Sequence, residues 1–255
     1  MLVYYSDPAL TELLLSFLHR RESGEAVQLI LAEGDSWFSL GGLTSNLLME
    51  LDDENSLIVS CASPGDTFRH ISDLGNEPFK LMLSKDFGVL WDRIYLSAGG
   101  NDIKDCAARV LYEGHIHQVS LEGVMIQVRA HLRRLLKTVR LYEQHCSVYL
   151  HTYDYPTPYA RKQLFTLGPW IGPELKKARV HVSLYSSIAK ELIDALALAL
   201  KGEAEKDGNT FIIDTRGILI PARWRFCWEF GDWTNEIHPS FRGMRKIADK
   251  WREAL

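Results

Sequence analysis

The sequence predicts a three-layer α/β/α sandwich in one domain spanning residues 1–255, and three observations predict it. Five short aliphatic or β-branched runs alternate with helical patterns, the arrangement of a parallel sheet covered on both faces. Three of those runs stop in polar, glycine-containing turns, which parallel strands bring to one edge, where open α/β sheets bind ligands. No linker, repeat or low-complexity stretch divides the 255 residues, which suffice for one large core.

In chain order, the first helix is marked by Asp7 as a cap and Pro8 at its first position, with Leu10, Leu13, Leu14, Phe17 and Leu18 as its apolar stripe. It is expected to end near Arg20-Arg21. The first strand is the run Leu29-Ile30-Leu31-Ala32, broken by Gly34-Asp35-Ser36 and followed by Gly41-Gly42 and a short helix from Leu43 to Leu51. Leu57 to Ala62 is the second strand and stops at Ser63-Pro64-Gly65-Asp66-Thr67. Residues 66–86 read as helical pieces interrupted around Gly75 and Pro78. Arg93 to Ala98 is the third strand, ending in Gly99-Gly100-Asn101-Asp102.

The longest helix buries Leu121, Val124, Met125, Val128, Leu132, Leu135, Leu136 and Val139. Its other side carries Arg129, Arg133, Lys137 and Arg140, read as a solvated face on an acidic protein. Ser147 to Thr152 is the fourth strand. Residues 153–173 follow, rich in Pro, Gly and aromatics without a period, and so long a connection reads as a lid or binding loop. A helix from Ser186 to Lys201 with Gly202 as its stop leads to the fifth strand, Phe211 to Asp214. The sheet order is not legible.

Composition excludes several classes. With 46% hydrophobic and 24% charged residues the chain is an ordinary globular one, and a net charge of −4 gives no general attraction to nucleic acid or anionic membrane. No run approaches the ~18 apolar residues of a membrane span, and the start, Met1 to Asp7, lacks the features of a secretory signal. Cys61, Cys106, Cys146 and Cys227 have no C-x-x-C spacing and read as free thiols of a cytoplasmic protein, although their even count leaves a disulfide open. His115 and His117 lack a third ligand nearby, so no metal site is expected.

The three turns bring Ser36, Gly65 and Asn101 to one edge. A serine there also serves as a helix N-cap, and Gly65 and Asn101 are ordinary turn residues when taken singly. Together they make a nucleophile with oxyanion donors: the N–H groups of Ser36 and Gly65 and the Asn101 carboxamide. The tail Asp232-Trp-Thr-Asn235-Glu236-Ile-His238-Pro239 supplies a base. Pro239 is expected to open the terminal helix, placing His238 before a helix N-terminus whose potential keeps the ring neutral. Trp224, Phe226, Trp228, Phe230 and Trp233 crowd the preceding stretch. With Tyr153, Tyr155, Tyr159, Phe165 and Trp170 they read as core filling or as walls of a substrate pocket.

Gly34-Asp35-Ser36, Gly65, Gly100-Asn101-Asp102 and His238 resemble, in order and rough spacing, the four blocks of the SGNH hydrolases, the GDSL esterase/lipase superfamily, over about residues 29–240. The resemblance implies a flavodoxin-like sheet and hydrolysis of esters or thioesters by a serine acyl-enzyme, with no metal or organic cofactor. The family usually has Asp three residues before the histidine, and here Asn235 stands there. Asn235 ranks first as the group that orients His238, ahead of Asp232 and Asp154, with Glu236 also near in sequence. The expected partner is a small ester. A carbohydrate O-deacetylase and a non-catalytic binding module with a decayed site are the alternatives, and the oligomeric state is not legible.

Overall fold

The computed structural model describes residues 1–41, 45–73, 77–159, 168–222 and 231–255. Among the described residues eight strands run in chain order: β1 (Leu2–Tyr4), β2 (Gln28–Gly34), β3 (Ser56–Ser60), β4 (Arg93–Ser97), β5 (Leu111–Tyr112), β6 (His115–Ile116), β7 (Ser147–His151) and β8 (Thr210–Ile213). Six of them form one parallel sheet in the order β1-β3-β2-β4-β7-β8. Leaving out β1, the remaining five lie in the flavodoxin-like order 2-1-3-4-5. The near-continuous apolar runs follow from this placement, because a parallel strand is covered on both faces: Leu29, Leu31, Leu57, Ile58 and Val59 are fully buried.

The chain leaves β2 toward β3 on one side and leaves β4 toward β7 on the other, so the sheet order reverses between the ends of β2 and β4. Such a switch point opens a crevice at the carboxyl edge. The two strands touch there closely. A Cβ on Gly34 would lie 2.5 Å from the Ser97 carbonyl oxygen, so only glycine fits that position.

The helices are α1 (Leu10–Glu22), α2 (Ser36–Ser39), α3 (Leu47–Leu51), α4 (Phe68–Ser72), α5 (Glu77–Leu83), α6 (Gly100–Val110), α7 (Gln118–Tyr142), α8 (Ile171–Lys177), α9 (Tyr185–Asp207) and α10 (Phe241–Arg252). Helices α4, α6, α7 and α9 pack on one another as one cover of the sheet, while α3 packs on α10. All eight expected stripe residues of α7 are buried. Arg133 and Lys137 of its basic row are exposed, and three of the row form ion pairs: Arg129 with Glu122, Arg133 with Glu203 at 2.7 Å and Arg140 with Asp207 at 2.6 Å.

Several expectations are corrected. The sheet has a sixth strand, because three residues of β1 are too few to show a period yet pair with β3 from Leu2↔Ile58 to Tyr4↔Ser60. A hairpin, β5–β6, turns at Glu113 and Gly114, both at positive φ, and leaves His115 exposed. Helix α9 runs through Gly202 and ends at Gly208, φ 79°. A helical glycine costs only about 1 kcal/mol, and the next turn contributes buried Glu203 with two cationic partners. Helix α10 begins at Phe241 under a Ser240 cap, not at Pro239, which instead pairs with Trp233 in an isolated bridge. Pro78 lies in the first turn of α5, where proline is tolerated. Helix α8 starts inside the segment 153–173, at Ile171. Gly42, Leu43, Gly75, Phe165, Trp224, Phe226, Cys227, Trp228 and Phe230 fall outside the described residues.

Candidate active site

Ser36 is the first residue of α2, directly after the end of β2. The helix cap is Asp35, whose Oδ1 accepts from the Trp37 N–H at 3.0 Å. The hydroxyl of Ser36 is therefore not used as a cap, and its own N–H, at the helix start, has no intrahelical acceptor. Asp35 is anchored from below by the Ser97 hydroxyl at 2.9 Å and the Tyr153 hydroxyl at 2.6 Å. Burial raises its pKa to about 6, partly offset by these bonds.

His238 Nε2 stands 2.9 Å from Ser36 Oγ, and its Nδ1 stands 3.0 Å from Asn235 Oδ1. The same Oδ1 accepts from the backbone N–H groups of Ile237 at 3.1 Å and His238 at 2.9 Å. Two backbone donors require oxygen at that corner of the carboxamide. Nδ1 must then carry the ring proton, which leaves Nε2 as the acceptor facing the serine. The Trp37 indole donates to the Ile237 carbonyl at 3.0 Å and ties the histidine loop to the serine helix. Burial pulls the His238 pKa down to about 4, with the charge of Lys104 adding to it. The ring is neutral for this reason, and α10 begins too late to supply the expected helix potential.

The other carboxylates have separate work. Asp232 is fully buried and takes Lys246 at 2.5 Å, Arg242 at 3.3 Å and the Ile220 N–H at 2.7 Å. Asp154 accepts from the N–H groups of Gly217 at 2.7 Å and Leu219 at 2.6 Å. Glu236 accepts from Trp170, from Ile171 at 2.8 Å, from Gly172 at 2.7 Å and from Tyr159 at 3.3 Å, all through backbone N–H groups. It thereby pins the start of α8 beside the site, with the Trp170 ring edge-on to His238 at 5.5 Å. Neither Asp232 nor Glu236 is a surface charge, and neither touches the imidazole.

Asn101, in the first turn of α6, is buried and lines the same cleft as Ser36. Its Nδ2 donates to the Asp66 carbonyl at 3.0 Å, fixing the carboxamide while leaving a second N–H. Gly65, φ 92°, lies exposed on the β3 turn, one residue before that carbonyl, and is not part of the cleft wall. The turn is joined to β2 through the Ser63 N–H and the Gly34 carbonyl at 2.9 Å.

Tyr153, expected as core filling or pocket wall, lines the cleft and also anchors Asp35, a role that no local pattern shows. At φ 62° its ring passes beneath Gly100, where a Cβ would come within 3.0 Å of it, and lies edge-on to Trp37 at 4.9 Å. Beside it His151, almost fully enclosed, has Nε2 2.9 Å from Ser97 Oγ; because that hydroxyl donates to Asp35, Nε2–H is the donor here. Both sit at the end of β7, and no local pattern distinguishes them from core residues.

No protein-family model matches the chain, and no curated protein matches it by sequence. Solved structures do. The lipase Lip_vut3 from a goat rumen metagenome is 18% identical, with 89% of this chain and 97% of that chain covered and a TM-score of 0.61. The extracellular lipase of Streptomyces rimosus is 12% identical, covering 90% and 100%, TM-score 0.54. A protein from Parabacteroides merdae described as a GDSL-like lipase is 14% identical, covering 90% and 96%, TM-score 0.51. The chain has the SGNH hydrolase fold. On this SGNH framework the edge holds a serine, a neutral imidazole and a fixed carboxamide, an arrangement able to pass a proton from Ser36 to His238. No described helix is long and apolar enough to cross a membrane, and no group of three or more His, Cys, Asp or Glu converges as a metal site among the described residues.

Proposed function

We propose that the chain is a serine hydrolase that cleaves small carboxyl esters or thioesters through an acyl-enzyme. The observation that carries this reading is the relay from Ser36 Oγ to His238 Nε2 at 2.9 Å and from His238 Nδ1 to Asn235 Oδ1 at 3.0 Å. In the reaction, His238 takes the Ser36 proton as Oγ bonds to the substrate carbonyl carbon. Collapse of the tetrahedral adduct breaks the bond to the leaving oxygen or sulfur, which receives that proton. Water, deprotonated by His238, then releases the acid and restores Ser36. Negative charge on the carbonyl oxygen is met by the Asn101 carboxamide and the Ser36 N–H; the Gly65 N–H, expected as a third donor, would reach it only if the exposed β3 turn closes toward the cleft. Asn235 holds the tautomer. In this reading the stretch 153–173 serves as a lid or binding loop of a single domain, and its described residues Tyr159, Trp170, Ile171 and Gly172 are held by Glu236. A cytoplasmic location accords with the free, buried Cys61, Cys106 and Cys146.

The alternative is a binding module with a decayed site, and Asn235 in place of a carboxylate favours it. The two separate on reaction with a fluorophosphonate probe. Labelling of the wild type that is lost in Ser36→Ala and His238→Ala is the expected result, while a folded wild type that takes no label at pH 7–8 moves the binding module forward.

A further inference from the structure

The carboxylates around the serine turn are committed elsewhere, and one lysine beside them is not. Asp35 is bonded to Trp37, Ser97 and Tyr153, Asp66 to His70, and Asp102 accepts from the Phe68 N–H at 2.9 Å. Asp154 and Glu236 are taken by backbone N–H groups, and Asp232 by Lys246 and Arg242. Lys104 of α6 is the exception: its side chain is only 23% exposed, yet the ion pair it makes is with the adjacent Asp105, at 3.2 Å, itself 55% exposed. Consecutive helix residues do not face each other, so this pair is a weak one that solvent screens. Resting on the serine hydrolase reading, we propose that Lys104 pairs with a carboxylate on the leaving group of the ester, so that the substrate itself brings the negative charge that Asn235 lacks beside His238.

The position of Lys104 follows from the register of α6. Asn101 is in its first turn, and Lys104 stands three residues on, one turn further along the same face. Helix α6 packs on α8, whose start carries the Trp170 ring edge-on to His238 at 5.5 Å. After burial, the Lys104 charge is the second cause that keeps the imidazole from taking a proton, so the two groups are near in space. The leaving atom must come to His238 Nε2 to be protonated, so the part of the substrate on that side of the carbonyl is the leaving group. Lys104 does not line the cleft that Ser36 and Asn101 share, so the acyl group is not what it meets.

The reaction makes this charge matter. When His238 takes the Ser36 proton it becomes a cation with a neutral carboxamide on one side and a lysine ammonium near the other. Like charges disfavour that imidazolium. A substrate carboxylate on Lys104 cancels the repulsion and adds an attraction of its own, while a neutral leaving group leaves the repulsion in place. The anion therefore acts in the transition state as well as in binding, where it replaces the weak partner Asp105.

The test is kcat/KM for m- and p-acetoxybenzoate and for their methyl esters, which carry the same acetyl group with an anionic or a neutral leaving group. Wild type is compared with Lys104→Met and Lys104→Arg. The ratio of carboxylate to methyl ester is expected to be about tenfold higher in wild type than in Lys104→Met. The variant should lose activity on the carboxylates and lose none on the methyl esters, a split that a general structural defect would not produce. Lys104→Arg should keep the wild-type ratio, and Lys104→Gln repeats the loss should Lys104→Met fail to fold. A wild-type ratio equal to or below that of the folded neutral variants overturns the proposal. So does a Lys104-dependent preference found only for p-nitrophenyl hydrogen glutarate over p-nitrophenyl butyrate, which would put the anion on the acyl side. If wild type still takes the fluorophosphonate label, the hydrolase reading survives either result. A folded wild type that neither labels nor turns over any of these esters removes both.

Discussion

Asn235 gives the site its most testable residue. In the proposed reaction the imidazolium formed at His238 has no carboxylate beside it, because Asn235 fixes the tautomer without a charge. Activity needs the neutral ring, present above its pKa, and burial sets that at about 4, so the acid limb of kcat/KM is expected near pH 4. Asn235→Asp places a negative charge next to the ring and favours its charged form. The acid limb should move up by roughly 1–3 units and kcat at pH 8 should rise about tenfold, read from pH–rate profiles of the two proteins. An unmoved limb would show that His238 is not the titrating base. Asn101→Ala should lower kcat by roughly 10²–10³ with the fold intact. Ser36, Asn101, Asn235 and His238 were legible because each carries its chemistry in a short local pattern. Gly65 was legible as a turn, but whether its N–H faces substrate depends on the placement of a loop that no spacing encodes. Asp154, Asp232 and Glu236 could not be told apart in sequence, since their partners lie up to 77 residues away.

Among elements, α8 depends on one side chain from another part of the chain. Glu236 lies two residues before His238 and receives the N–H groups of Trp170, Ile171 and Gly172, the donors that the start of α8 would otherwise leave unpaired. Burial raises its pKa, and those backbone bonds oppose the rise. Glu236→Gln keeps the shape but turns an NH₂ toward backbone donors, at a cost of about 1–3 kcal/mol. The melting temperature should drop by several degrees, and KM should rise more than kcat falls, because Ile171 and Trp170 loosen over the site while the Ser36–His238 pair is untouched. An equal loss in kcat at unchanged KM would instead place Glu236 in the chemistry. The same long-range dependence explains which elements were legible. The stripe of α7 and the five longer strands follow from their own periods. The continuation of α9 past Gly202 depends on Arg133 of α7, and β1 depends on the register offered by β3.

Across the molecule, the sheet edge gathers buried titratable groups of opposite tendency, and their balance sets the response to acid. Burial raises Asp35 and Asp102 to about 6. Their contribution to stability is greatest below the unfolded value near 4 and is lost as pH rises through 6. Burial lowers His238 to about 4 and His151 to about 3. Their contribution is present above the unfolded value near 6.5 and is lost as pH falls toward the folded values. Between about pH 4 and 6 these two aspartates hold protons that they release in the unfolded chain, and these two histidines refuse protons that they bind there. The slopes oppose, and stability should be nearly flat across that interval. Below pH 4 the aspartates are protonated in both states, while His151 still resists its proton and the ion-paired Glu203, Asp207 and Asp214, held low by their cations, begin to lose their bridges. Thermal unfolding at pH 6, 5, 4 and 3 is the measurement: a plateau to pH 4 followed by a steep fall is expected. A steady decline beginning at pH 6.5 would mean that the two histidines outweigh the aspartates, and that Asp35 and Asp102 are ionised beneath the serine turn at neutral pH at little cost to the fold.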